Sequence, residues 1–464
     1  MLSFAELSKY ISSGDVDFID LLFVDIRGTI KRKTIHAREF TKDAIAEGYG
    51  FDGSSLPGFK TIFESDMIVR PDLDTIFLDP FSDRTAAVFC DIYDPITKKP
   101  YELDPRFIAK RAEKYIRDTK IATDSYWGPE LEFFVFRSVE VDASPYLTGV
   151  TLSSEEARDA DGMSGYEMHA KKAYFTTSPF DTLGMYRNEV SRIAESIGIQ
   201  IEAHHHEVAT AGQIEINMKY TTLLRMADNV LLLKYIARNV AKEYGLTAIF
   251  LPKPVYDDNG TGMHIHHSLF KDDKNIFADD KGYAGLSKEA VHYIGGILEH
   301  IYPLLAFTNP TPNSYRRLVP HFEAPTAVAY SQRNRSAAIR VPLNIPSSPK
   351  ARRFEFRCPD ATSNPYYAFA AIAVAGIDGL KKKLDPEKLG YGPFDKDIWE
   401  MDSVKQTPRK LDESLSALAD SSLFIESKVF SKAFIESYLE VVTESYMQAE
   451  LHPTPADFHY YSDI

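Results

Sequence analysis

The chain has 464 residues, 53 of them basic and 67 acidic, and its formal net charge of −14 argues against a nucleic-acid footprint over most of the surface. Its length admits roughly two to four domains, and an apolar content of 44% is enough to bury a sizeable core. The two cysteines, Cys90 and Cys358, lie in apolar strand-like contexts, which supports neither a disulfide framework nor a thiolate metal site and fits a reducing cytoplasm.

The first twenty residues hold Glu6, Asp15, Asp17 and Asp20 and lack a basic start followed by an apolar stretch, so no ordinary signal peptide is expected. Phe18 to Ile26, Thr75 to Leu78 and Ala86 to Tyr93 read as strands of a small sheet-rich unit, separated by turn signals such as Arg27-Gly28. Asp104 followed by Pro105 is an N-cap and first-turn pair opening an amphipathic helix through Phe107, Ala112, Tyr115 and Ile116. A domain boundary is therefore expected near residue 103, dividing the chain into 1–103 and 104–464.

Residues Val139 to Lys171 are rich in Asp, Ser, Gly and Glu with little periodicity, and are read as a long mobile loop or insertion. Leu223, Met226, Val230, Leu233, Ile236 and Val240 follow helical spacing and form a core stripe. Lys288 to Phe307 is a further helix despite its Gly295-Gly296 pair, and Asn364-Pro365 opens another. The apolar segment Tyr366 to Leu380 is interrupted by Asp378 and too short to span a bilayer, so it reads as a buried helix.

Four short runs share one pattern: Gly128-Pro129-Glu130-Leu131-Glu132, Gln213-Ile214-Glu215-Ile216-Asn217, Met263-His264-Ile265-His266 and Arg353-Phe354-Glu355-Phe356-Arg357 alternate polar with apolar residues. In a strand, residues i and i+2 share a face. If the four are strands of one sheet, that face carries carboxylates, imidazoles and guanidiniums, while Leu131, Ile214, Ile265 and Phe354 enter a core. Any one run could be the wet face of an antiparallel sheet. Four together, free of lysine, would repel themselves unless cations or arginines compensate, which favours a site.

Glu130, Glu132, Glu207, Glu215 and Glu355, with His264, form a ligand inventory for hard divalent cations, favouring Mg²⁺ or Mn²⁺ over Zn²⁺. Five acids suffice for two ions, an arrangement suited to phosphoryl transfer. Arg316, Arg317, Arg333, Arg335, Arg340, Arg352, Arg353 and Arg357 crowd into one stretch, several interleaved with apolar residues, as expected of a buried anion site rather than an RNA-binding patch. No Walker A sequence is present. Asn259-Gly260-Thr261-Gly262 is a flexible turn before the His264 strand, and the His204-His205-His206 run is given no role.

Seven motifs, taken in order, resemble those of the type I glutamine synthetases. They are Phe51-Asp52-Gly53-Ser54-Ser55, Gly128-Pro129-Glu130-Leu131-Glu132, His205-His206-Glu207-Val208-Ala209, Asn259-Gly260-Thr261-Gly262-Met263-His264, Asn309-Pro310-Thr311, Arg333-Asn334-Arg335-Ser336 and Arg352-Arg353-Phe354-Glu355-Phe356-Arg357. The resemblance implies an α+β fold, with an N-terminal β-grasp domain and a C-terminal α/β catalytic domain built on an antiparallel half-barrel sheet with surrounding helices. It implies ATP-dependent ligation of ammonia to L-glutamate through γ-glutamyl phosphate, with two Mg²⁺ or Mn²⁺ per subunit. Glu132, Glu207 and Glu215 match ligands of the metal nearer the glutamate, and Glu130, His264 and Glu355 those of the metal on the ATP side. Asn259, Gly260, Arg317, Arg357 and Tyr174 match glutamate-side positions, and Arg335 lies near the transferring phosphoryl group. Glu207, His266, Ser268, Arg340, Lys350 and Arg353 match nucleotide-binding positions. Asp52 matches the residue that binds and deprotonates ammonium, and Glu323 the flap acid that excludes water.

The same resemblance implies a cytoplasmic homo-dodecamer of two stacked hexamers, without nucleic acid or membrane, in which Asp52 serves a neighbour's site and the Tyr460-Tyr461-Ser462-Asp463-Ile464 tail clasps the opposite ring. Trp399 stands where the adenylylated subtype carries its tyrosine, so no adenylylation is expected. Thr61 stands where the other bacterial subtype carries a feedback arginine, so weak glutamine feedback is expected. A γ-glutamylpolyamine or γ-glutamylamide ligase, or a catalytically inactive structural relative, are the alternatives.

Overall fold

The computed structural model describes residues 1–157, 166–210, 212–320, 322–343, 348–395, 398, 401 and 403–461. Trp399 and the last three residues of the tail, expected above to matter for regulation and ring contact, lie outside them.

The N-terminal unit starts with α1 (Phe4–Ser13), whose first turn is closed by a reciprocal Ser3–Glu6 capping box. It continues through β1 (Phe18–Val24), β2 (Ile30–His36), α2 (Lys42–Glu47), β3 (Tyr49–Asp52), β4 (Asp66–Pro71), β5 (Phe77–Leu78) and β6 (Thr85–Tyr93). Its sheet runs β2-β1-β6-β4-β3 with β5 on β6, and only β1 and β6 are parallel. The expected Thr75–Leu78 strand is shorter, because Asp72 accepts a hydrogen bond from the Asp74 N–H and turns Leu73–Thr75 into a 3₁₀ segment. The β1–β2 turn is held by Asp25, whose Oδ1 accepts from the N–H groups of Arg27 and Thr29 at 3.0 and 2.9 Å.

Asp104 caps α3 (Pro105–Asp118) as expected, its Oδ1 accepting from the Arg106 N–H at 3.2 Å. The Arg106 side chain is fully buried at the joint between the units. It donates to Asp72 (2.9 Å) and Asp91 (2.7 Å) of the small sheet and to both oxygens of Asp228 (3.1 and 3.0 Å).

The larger unit centres on β7 (Asp124–Phe136). Next come β8 (Ser138–Ser144) and β9 (Leu147–Ser153), which correct the loop expected over 139–171: at least 138–153 is a regular antiparallel hairpin pairing Ser138 with Ser153 and Ser144 with Leu147. Val139, Val141, Val150 and Leu152 carry a period of two that the acidic and serine-rich composition masked. Then follow α4 (Gly184–Ser196), β10 (Ile201–His206), β11 (Gln213–Met218), β12 (Thr221–Thr222), α5 (Leu223–Glu243), β13 (Thr247–Ile249), β14 (Met263–Lys271) and β15 (Lys274–Asn275). The α5 stripe is buried throughout, as read from its spacing.

The helix expected over 288–307 is two helices, α6 (Lys288–Glu299) and α7 (Ile301–Thr308). His300 leaves the helical path between them at φ −96°, ψ 18°, its Nε2 meeting Asp378 at 2.8 Å, and Pro303 in the first turn of α7 removes a donor. Gly296 does not break α6. It lets α6 cross α9, since a Cβ there would stand 2.2 Å from the Ala375 carbonyl oxygen.

The chain then forms α8 (Pro312–Arg317), β16 (Ala327–Gln332), β17 (Ala337–Val341), β18 (Phe354–Phe356), α9 (Pro365–Lys382), α10 (Leu411–Asp420), α11 (Leu423–Glu426), α12 (Lys432–Glu450) and α13 (Pro455–Tyr461). The large sheet has the order β10-β11-β7-β14-β18-β17-β16 and curls into a half-barrel backed by α3, α5 and α9. All pairs on this path are antiparallel except β16–β17, an exception to the expected all-antiparallel sheet. Among the described residues no helix is long and apolar enough to cross a membrane, and α9 is the buried helix read from its sequence.

Candidate active site

The four alternating runs are neighbours in one sheet, in the order β11-β7-β14-β18. Leu131, Ile214, Ile265 and Phe354 are fully buried on its helix-covered face. The other face carries three cross-strand rows. His205 pairs with Glu215 and Glu215 with Glu132 in the first. Asn217, Glu130 and His264 make the second, and His266, Glu355 and Arg340 the third. Side chains directly opposite on adjacent strands lie about 5 Å apart at Cβ, so register alone brings these groups together.

In the middle row His264 Nδ1 lies 3.1 Å from Glu130, 3.5 Å from Glu132 and 3.6 Å from Glu355. His266 Nε2 meets the other Glu130 oxygen at 2.7 Å. Glu355, fully buried, is gripped by Arg340 at 2.5 Å and by Arg357 at 2.6 Å. Glu132 accepts from the Gly262 N–H at 2.8 Å and from Gln213 Nε2 at 3.3 Å. A side chain at position 262 would strike His264 and Arg317, each at 2.6 Å, so the turn before β14 needs glycine for this close approach. Arg317 donates to the carbonyls of Cys358 (2.7 Å) and Arg357 (3.0 Å), with Nη2 3.2 Å from His264 Nε2.

Charge divides the face in two. Burial works against the Glu130 charge, but His266 and His264 hold its pKa well below the usual carboxylate range. Burial likewise opposes the Glu355 charge, yet Arg357 leads the neighbours that bring its pKa below normal. On the other side, burial and then Glu132 and Glu215 push Glu207 up to about 8. Glu215 is driven well above its ordinary value by burial, Glu130 and Glu132. One acid group is thus neutralised by the protein's own cations, while the other has only the His205 imidazole beside it. Oxygen donors in excess of imidazole, with no thiolate, fit a hard divalent cation. Two groups of donor atoms are compact enough for an ion, Glu130–His266–Glu355 and His205–Glu207–Glu215.

A cavity of ≈250 Å³ opens onto this face, and the structure gathers most of the expected residues around it: Glu130, Glu132, Glu207, Glu215, His264, Asn259, Gly260, Arg317, Arg335, Arg340, Arg357, Glu323 and Tyr174. Arg335 reaches the exposed Glu323 at 2.7 Å over its mouth. A neighbouring cavity of ≈500 Å³ shares Glu130 and Asn217 with the first and holds His266, Ser268, Lys350 and Arg353, with Tyr126, Tyr220 and Phe270 as aromatic wall. Arg353 donates to His266 Nδ1 at 3.0 Å. Arg340 and Glu207 line the first cavity, apart from the other nucleotide-side candidates. Asp52 lines neither. It is exposed at the end of β3, and the Ser54 hydroxyl and N–H hold its carboxyl below the usual range.

Two residues escaped the sequence reading. His205 lies 3.4 Å from Glu215 and 3.6 Å from Glu207, a position that only the β10–β11 register reveals. Gln213 was read only as part of a strand, yet its side chain joins three parts of the site: Nε2 donates to Glu132 and to the Gly260 carbonyl (2.8 Å), and Oε1 accepts from the Ala209 N–H (2.9 Å).

A β-grasp unit joined to a half-barrel whose inner face gathers acids and arginines defines a class of ATP-dependent ligases. The family model "Glutamine synthetase, catalytic domain" matches residues 102–461, and "Glutamine synthetase, beta-Grasp domain" matches 15–95. The chain is 46% identical to the glutamine synthetase of Frankia alni over 473 aligned positions, covering 99% of both chains. It is 45% identical to that of Aquifex aeolicus (strain VF5), covering 99% of this chain and 98% of the other. The Plasmodium falciparum glutamine synthetase solved by electron cryo-microscopy superposes with a TM-score of 0.89 at 29% identity, over 99% of each chain. The chain belongs to the glutamine synthetase family. It is an enzyme that makes L-glutamine from L-glutamate and ammonia with ATP, and it uses divalent metal.

Proposed function

We propose that each chain holds two Mg²⁺ or Mn²⁺ ions, one through Glu132, Glu207 and Glu215 and the other through Glu130, His264 and Glu355. When bound, such cations neutralise phosphate oxygens and polarise the transferring group. The observation that carries this reading is the row arrangement: carboxylates and imidazoles from four adjacent strands converge beside a second, aromatic-walled cavity with two cations of its own.

In this reading ATP occupies the ≈500 Å³ cavity. His266, Ser268, Lys350 and Arg353 face it there, and Glu207 and Arg340 meet its phosphates from the first cavity. Glutamate lies against Asn259, Gly260, Arg317, Arg357 and Tyr174. A γ-carboxylate oxygen attacks the terminal phosphorus, the bond to the ADP oxygen breaks, and Arg335 takes up charge on the transferring group. Glu323, exposed on the rim and tied to Arg335, is placed to close over the acyl phosphate and exclude water. Asp52 holds ammonium and accepts its proton, freeing ammonia to attack the acyl carbon and displace phosphate. Because Asp52 lines neither cavity, this role needs a neighbouring chain, which supports sites shared between chains, as in the proposed dodecamer of two stacked hexamers. The division into units 1–103 and 104–464 is supported by family matches ending at 95 and starting at 102. Two buried free cysteines suit a cytoplasmic setting.

An ADP-release assay with ammonium, putrescine and ethanolamine tests the reading. Ammonium is expected to be the productive amine, with turnover dependent on Mg²⁺ or Mn²⁺ and abolished by Glu355→Ala. Preference for putrescine, or near-normal activity in that variant, would refute it.

A further inference from the structure

A cavity of ≈680 Å³ lies where the small unit meets the large one, away from both cavities of the active site. Arg27, Gly28 and Thr29 from the β1–β2 turn form one wall. The opposite wall includes Lys234 and Arg238 of α5, with Phe250 just after β13. Three of the lining residues are cationic and none is acidic.

One of the two α5 cations, Lys234, is in an unusual position. Lys234 is buried, its Nζ donating to the Ala361 carbonyl at 2.6 Å and standing 5.4 Å from the centre of the Phe250 ring. The Arg238 guanidinium stands over the same ring at 4.8 Å. Among the described residues no carboxylate makes an ion pair with either head. Burial, and then Arg238, pull the Lys234 pKa down to about 7 against the opposing pull of Asp360. That acid is already engaged by Asn309 and Thr362. Partial desolvation alone lowers Arg238. A lysine is almost never buried unless paired, because an uncompensated charge loses its hydration, and Lys234 is the buried one of the two, Arg238 being exposed beside it. Arg27 brings a third positive charge from the other wall, with one nitrogen on Ser445 at 2.7 Å.

We infer that this junction cavity binds a small dianion, inorganic phosphate or a short dicarboxylate, between Lys234, Arg238 and Arg27. Such a ligand supplies the missing counter-charge through charge-assisted hydrogen bonds and ties the two units together. Its reach extends further. Leu251 also lines the cavity, and the carbonyls of Leu251 and Pro252 hold Thr261 at 3.1 and 2.8 Å, directly beside Asn259 and Gly260. An occupant that fixes this wall therefore acts on the glutamate-side loop, shifting KM for glutamate more than kcat.

Calorimetric titration of the full-length protein, with glutamate and a non-hydrolysable ATP analogue saturating the active site, tests the inference. Inorganic phosphate is the titrant in one arm and succinate in the other, so the tighter arm identifies the source of the anion. One site per chain is expected, with affinity falling at least about tenfold in Lys234→Met and in Arg238→Gln, while turnover without added anion stays unchanged in both. Arg238 is exposed, so its variant reports even where Lys234→Met fails to fold. Wild-type affinity in Arg238→Gln, no binding of either anion, or an oligomer structure in which a neighbouring chain fills the cavity would each overturn it.

Discussion

Gln213 shows how much one uncharged residue can organise. An amide both donates and accepts, so a single side chain reaches the Glu132 carboxylate, the Gly260 carbonyl and the Ala209 N–H at once, and thereby ties the β7 acid to both flanking loops. Groups that orient metal ligands typically change metal affinity or activity by about 10–100-fold when removed. Gln213→Leu is expected to lose activity within that range and to raise the metal concentration needed for half-maximal rate. Wild-type metal dependence in that variant would disprove the positioning role. The alternation of Glu130 with Glu132 was legible because i and i+2 are both in the sequence. His205 was not, because a run of three histidines carries no period and its partner Glu215 is ten residues away on another strand. Arg317 was legible as a site residue, but not its orientation toward the carbonyls behind His264.

At the scale of elements, helix caps and stripes were legible wherever local chemistry sets them: Asp104-Pro105 and Asn364-Pro365 open helices where expected. Failures came where tertiary packing or composition hid the signal. Gly295-Gly296 looked like a weakness within a helix, and Gly296 turned out to be the contact that lets α6 lie against α9. The β8–β9 hairpin was obscured by acidic composition. The joint between the units depends on α3, which carries Arg106 into a cluster of Asp72, Asp91 and Asp228, with the Tyr366 hydroxyl donating to Asp228 at 2.6 Å. Removing one partner of a buried ion cluster leaves uncompensated charge and costs about 3–5 kcal/mol. Arg106→Leu is therefore expected to lower the thermal midpoint sharply, whereas Arg84→Leu, on an exposed pair with Asp17, changes little. Equal midpoints for the two variants would contradict this.

For the whole molecule, the decisive placement is that of Asp52, outside both cavities of its own chain. If active sites form between chains, inactive Asp52→Ala and Glu355→Ala proteins complement each other. Mixed after dissociation and reassembly, they are expected to regain a fraction of wild-type activity, since some interfaces then pair an intact Asp52 with an intact Glu355. No recovery in mixed oligomers would show that Asp52 works within its own chain. Sequence could suggest the residue through its motif but not its distance from the acids, because that depends on how the small sheet is mounted on the large one.

The rows of acids have a consequence for the newly made chain. Each of six strands contributes only one or two of their members, and the strands that supply Glu130 and His264 are neighbours in space though 134 residues apart in sequence. A chain translated through Met218 already carries the row of His205, Glu215 and Glu132, but the second and third rows wait for β14 and β18. Such a partial sheet has the Glu207–Glu215 side of the site but not His264, His266 or Glu355. The row that holds His266, beside the aromatic-walled cavity, is therefore complete only when β18 pairs with β14 and sets Glu355 opposite His266, so the two halves of the acid face are completed at different points in the chain as well as separated in charge.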